Sequence, residues 1–169
     1  IIWVKYSDPG TTKYHSLTTL QNMMNGCNSF IQENSYGATS MTVTYTPLLT
    51  LPQTESYYVT NGDFVLYDHA RSVATSNGYN YTSYNLDAVC FVGGPGSYGG
   101  QAYVGNRGCW LKSATAGVAA HEFGHNFGLW HANYWNITTD DPIGPGSNQE
   151  YGDSFDTMGS AQAGANHFD

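Results

Sequence analysis

Charged side chains are scarce in this chain. They make up 11 % of its 169 residues, and Lys and Arg number 5 against 13 Asp and Glu. The resulting net charge of −8 leaves no basic footprint of the kind that phosphate backbones or anionic lipid surfaces require. Nucleic acid and membrane are therefore excluded as expected partners. Long apolar runs are also missing: none approaches the roughly 20 residues that span a bilayer. Cysteine is rare, and its odd count of 3 leaves at least one thiol unpaired or joined to something outside the chain. Cys90 and Cys109 flank a glycine-rich connection between two expected strands, so they are the expected disulfide. Cys27 falls on a helical face and reads as a small buried apolar side chain. No leader pattern precedes Ile1-Ile2-Trp3-Val4, which reads as a strand. The expectation is a mature or trimmed domain, a monomer, whose leader and pro-segment lie outside this chain.

Tyrosine is abundant instead, at 14 residues, together with 20 glycines and many Thr, Ser and Asn. That mix suits a secreted, extracellular protein with polar loops. Two glycosylation triplets, Asn80-Tyr81-Thr82 and Asn136-Ile137-Thr138, matter only in a eukaryotic secretory pathway. The length suits one domain with a real core.

Periodicity supplies the elements. Residues 1–7 read as a strand, closed by the turn Asp8-Pro9-Gly10. Leu17, Leu20, Met24, Cys27 and Ile31 repeat at intervals of three and four, an amphipathic helix ending near Gly37. Residues 40–49 alternate, with Met41, Val43 and Tyr45 on one side, and read as a half-buried strand limited by Pro47. Residues 63–77 suit a second helix, 87–92 a buried strand, and 101–105 the next strand. Residues 113–127 form a third helix that Ser113 or Thr115 can cap, with Ala119, Ala120, Phe123 and Phe127 on its packing side. From 128 onward, Gly, Pro, Asn and Asp dominate and the chain reads as loop. Asp140, Asp141, Asp153 and Asp156 there either cap turns or bind calcium (Ca2+), for which no regular loop motif is present.

The third helix carries the chemistry. Residues 121–131 read H-E-x-x-H-x-x-G-x-x-H. Side chains four apart share one helical face, so His121 and His125 can grip one metal ion, with Glu122 beside them. Gly128 tolerates left-handed backbone angles, which lets the chain leave the helix sharply and return His131 as a third ligand. Three protein ligands leave a fourth position for water, the arrangement of a catalytic zinc (Zn2+) site rather than a structural one. Glu122 then stands as general base and, afterwards, as proton donor to the leaving amine.

This motif resembles that of the metzincin metalloproteases, which set a methionine turn beneath the zinc helix. Met158, in Ser154-Phe155-Asp156-Thr157-Met158-Gly159, is the matching residue. Glu150-Tyr151-Gly152-Asp153 followed by Met158-Gly159 is similar to the gametolysin (autolysin) branch. The resemblance covers residues 121–159. It implies an α/β (α+β) zincin: a twisted mixed sheet with helices in a lobe of about 1–128, and a small irregular lobe of about 129–169. It implies a secreted zinc metalloendopeptidase acting on extended peptide segments. The strand before the zinc helix would be the antiparallel edge that pairs with substrate through Gln101, Ala102, Tyr103 and Val104. Two positions depart from the pattern. Ser160 stands where several metzincin families place a transition-state tyrosine, so Tyr151 becomes the candidate for that role. Ala132 follows the third histidine, which sets the chain apart from the better-known branches. Two alternatives stay open: Glu150 in place of His131 as third ligand, and a catalytically inactive zincin-fold binding module.

Overall fold

The computed structural model describes residues 1–160 and 167–168. It is a mixed α/β fold with helices on both faces of one five-stranded sheet. In chain order the elements are β1 (Ile2–Lys5), α1 (Leu17–Asn34), β2 (Leu49–Thr50), α2 (Glu55–Asn61), α3 (Asp63–Ser76), a short 3-10 turn (Tyr81–Ser83), β3 (Ala88–Cys90), β4 (Gly100–Ala102), β5 (Cys109–Leu111), α4 (Ala116–Asn126), β6 (Tyr134–Ile137) and β7 (Gly146–Gln149). The sheet order is β2-β1-β3-β5-β4, parallel throughout except for β4, which runs antiparallel to β5 at the edge.

Alternation along the strands sends side chains to two cores. Ile2, Val4, Val89 and Trp110 meet Leu66, Tyr67 and Ala70 of α3 on one face. Ala88, Cys90, Cys109 and Leu111 meet α1 and α4 on the other. Helix α1 starts where Ser16 accepts a bond from the Thr19 amide at 3.0 Å, and it buries Leu20, Met23, Met24, Cys27, Phe30 and Ile31. It lies close to α4: a Cβ on Gly26 would stand 2.8 Å from Ala116 Cβ. On the opposite face, Arg71 clamps Asp87 with two bonds of 2.8 and 2.9 Å and ties α3 to the start of β3.

Several expectations change. Residues 40–45 show the expected in-and-out alternation, but residues 40–48 form no strand. The Thr46 amide bonds Ile1 O at 3.0 Å and its hydroxyl takes the Trp3 amide at 3.0 Å, so a side chain replaces a ladder partner. Pro47, with no amide hydrogen, then breaks the run, and only Leu49–Thr50 joins the sheet. Helix α2 and strand β5, neither expected, are both present. The segment after residue 128 is not all loop, because β6 and β7 pair into an antiparallel hairpin.

The expected Cys90–Cys109 disulfide is not formed; all three cysteines are free and buried. The register explains this. Cys109 pairs with Ala88, which puts it diagonally across from Cys90. Diagonal neighbours stand about 7–8 Å apart, beyond ordinary disulfide reach. Burial pushes the Cys27 and Cys90 thiols up to about 12, and Cys109 is raised well above its ordinary value by the same cause. The native protein should therefore react with no Ellman's reagent at pH 8, and release three thiols once unfolded in guanidinium. Only one thiol released without reductant would mean a disulfide forms after all.

Candidate metal centre

The geometry of α4 and its exit is built from backbone bonds. Thr115 caps the helix by accepting from the Val118 amide. At the other end Gly128 adopts φ 101°, the left-handed region glycine tolerates. Its amide bonds His125 O at 2.8 Å and the Leu129 amide bonds Gly124 O at 3.0 Å, a Schellman closure. The chain then folds back and delivers His131 beside the helix. One ring nitrogen from each of His121, His125 and His131 lies within 4.8 Å of the others. Among the described residues no other group of three or more metal-binding side chains gathers this way. None of the four aspartates considered for calcium joins a metal-binding cluster among the described residues, and three of them act as turn carboxylates: Asp153 accepts from the Phe155 amide, Asp156 from the Met158 amide and Asp141 from the Ile143 amide.

Each imidazole has one nitrogen occupied. His121 Nδ1 bonds Thr157 O at 2.9 Å, His125 Nδ1 bonds Leu129 O at 2.8 Å, and His131 Nδ1 bonds Glu150 Oε1 at 2.7 Å. Donation from Nδ1 to these acceptors leaves each Nε2 as a lone-pair donor, the tautomer a metal needs. Desolvation lowers the pKa of His121 and His125, which favours the neutral, metal-binding form. Glu150 accordingly stands behind His131 as its hydrogen-bond partner and does not join the ligand cluster. Glu150→Ala should weaken metal affinity about 10–100-fold, the usual cost of losing an outer-shell partner. Loss of the metal altogether in an equilibrium titration would make Glu150 the ligand instead.

Glu122 completes the group. Its side chain is buried, Oε2 has no hydrogen-bond partner among the described residues, and desolvation pushes its carboxyl up to about 8. Such a buried orphan oxygen calls for a positive neighbour or a bound water. Three imidazoles with free Nε2 atoms and an unpartnered carboxylate together fit a nitrogen-liganded divalent ion with an open position. Gly100 makes room for Glu122: a Cβ there would stand 2.7 Å from Glu122 Cγ.

The turn bearing Met158 lies beneath the helix. Met158 is buried, and a Cβ on Gly124 would stand 2.5 Å from its sulfur. The same turn supplies Thr157 O to His121, and Met158 O accepts from the Ala132 amide at 3.0 Å, just past His131. Tyr151 has positive φ, 60°, and its ring lies 3.7 Å from the His131 ring. Burial, then the Glu150 and Glu122 carboxylates, raise its pKa, so the phenol stays protonated. Ser160 donates to Asp153 O through both its amide and its hydroxyl.

Of the expected edge residues, Gln101 and Ala102 lie in β4, while Tyr103 and Val104 follow it. The strand immediately before α4 is β5, not the 101–105 segment. Phe127, expected on the packing side, is 52 % exposed because the helix ends at Asn126 and Phe127 occupies the cap. Asn126 was not singled out by its sequence context. Its Nδ2 reaches three carbonyls, of Tyr103, Asn106 and Gly108, at 3.0, 2.8 and 3.0 Å. It pins the β4–β5 connection to the C-terminal end of α4.

Comparison with protein-family models, with curated proteins and with solved structures finds no match for this chain.

Proposed function

We propose that this chain is a zinc-dependent metalloendopeptidase of metzincin type, akin to the gametolysin branch, acting on proteins outside the cell. The observation that carries the reading is Glu122: a buried carboxylate with an orphan oxygen, set beside three imidazoles whose Nδ1 atoms are already engaged. His121, His125 and His131 would hold the ion. Bound zinc supplies Lewis acidity, polarising a carbonyl and making water nucleophilic near neutral pH. Glu122 takes the proton from the attacking water and passes it to the amine that leaves. The Tyr151 phenol, whose ring lies 3.7 Å from the His131 ring, would donate to the oxygen on which negative charge develops. Strand β4, at the end of the sheet, offers its outer edge to an extended peptide, and the Asn126 bonds hold the connection beyond it.

A chelator should abolish cleavage of a mixed peptide pool, and one equivalent of zinc should restore it. Full cleavage by metal-free protein would remove the proposal.

A further inference from the structure

We infer that the cavity on the His131 side of the centre is a subsite for an aromatic side chain of the substrate, walled by Phe64, Tyr103 and Trp130. The inference rests on the peptidase reading and names what that peptidase selects. The cavity, about 310 Å³, runs from Glu122, His125 and His131 along residues 100–104 to Phe64 and Trp130. These two aromatics are 57 % and 75 % exposed, a large apolar area left open beside the chemistry.

The Phe64–Tyr103 part of the wall is braced before any ligand arrives. Phe64 meets Trp110 edge-on at 5.4 Å and lies tilted at 6.3 Å from Tyr103, which in turn is 5.6 Å from Trp110. Trp110 is itself buried, and its Nε1 donates to Tyr98 Oη and Gln101 Oε1, both at 3.0 Å. A rigid aromatic face loses little freedom on binding, and rings prefer edge or offset packing on other rings. No Lys or Arg lines the cavity. Its carboxylates, Glu122 and Glu150, sit at the metal end, and Glu150 is already bonded to His131. The far end is therefore uncharged, which favours a neutral ring over a cation. The cavity on the His121 side, about 590 Å³, is lined mostly by small residues such as Gly99, Ser113, Ala116 and Val118, with Tyr98 and Tyr151 as its non-histidine rings.

The probes are capped alanine hexapeptides in which Phe, Leu or Lys is stepped through each position. Binding is measured by calorimetry on zinc-loaded Glu122→Gln protein, and kcat/KM on wild type. At one position, on one side of the cleaved bond, Phe should tighten binding about 10–100-fold over Ala, with Leu intermediate and Lys without gain. Phe64→Ala and Trp130→Ala should each collapse that Phe-to-Ala ratio, while Phe64→Leu keeps part of it. Metal content in each variant reports that the centre is intact. No gain from Phe at any position, a gain that survives both substitutions, or an equal gain from Lys overturns the subsite. Phe-dependent binding without any wild-type cleavage would instead sustain the subsite and overturn the peptidase reading.

Discussion

His125→Ala should strip the protein of its metal and of its activity together. Metal content after desalting should fall from one equivalent to essentially none, with affinity reduced at least about a thousandfold, more than the 10–100-fold that outer-shell losses cost. The reasons are local. His125 is buried on α4, so no solvent-exposed side chain can swing in to replace it. Its Nδ1 also bonds Leu129 O, inside the turn that returns His131 to the site. Losing the ring removes one ligand and loosens the loop that places another. His69→Ala is the matched control, because that ring serves Tyr58 Oη at 3.0 Å and has no place in the cluster. A His125→Ala protein that keeps one tightly bound equivalent would show that the metal sits elsewhere.

The second large effect appears in the metal-free protein. Burial raises the folded pKa of Glu122 to about 8 from an ordinary 4.5. Between those values the folded carboxyl keeps its proton while the unfolded one loses it. The unfolded state then binds fewer protons, so stability falls as pH rises. The contribution of Glu122 is fully present below about pH 4.5 and is gone once pH passes about 8. At 1.36 kcal/mol per pKa unit this amounts to a few kcal/mol. His121 and His125, with lowered pKa values, act in the opposite direction at and below about pH 6.5. Both remain in Glu122→Gln, so the difference between the two proteins isolates the carboxyl. Denaturant melts of metal-free protein should show Glu122→Gln gaining on wild type steadily from pH 5 to 8. Parallel curves would mean that Glu122 is solvated and not held as the structure holds it. A destabilising carboxylate kept at this position is what a functional site retains at a cost in stability.

The candidate metal centre was legible in the sequence because its rules are local. The i, i+4 spacing of His121 and His125, the glycine exit at 128 and the return to His131 all follow from helix geometry, as does the Thr115 cap. Met158 was legible only through the resemblance of its turn. What stayed hidden was non-local or carried by the backbone. Thr157 O and Leu129 O orient two of the imidazoles, and a carbonyl has no side-chain signature. Phe64 reaches the cleft from α3 because the sheet order sets that helix beside Trp110. The alternation was a true burial pattern over residues 40–45, but Thr46 breaks the period and its Oγ1 occupies the place a ladder partner would take. Cys90 and Cys109 do share a face of the sheet, yet the register keeps them diagonal rather than opposite.

The most direct measurement is product-end mapping by mass spectrometry on a peptide mixture, with wild type and Glu122→Gln run in parallel and zinc quantified in each. Wild type carrying one zinc should create new termini. Glu122→Gln carrying the same zinc should be slower by about 10²–10⁴, the usual contribution of general acid–base catalysis. Equal cleavage by both proteins, or none from wild type with its zinc in place, would contradict a peptidase that works through these four residues.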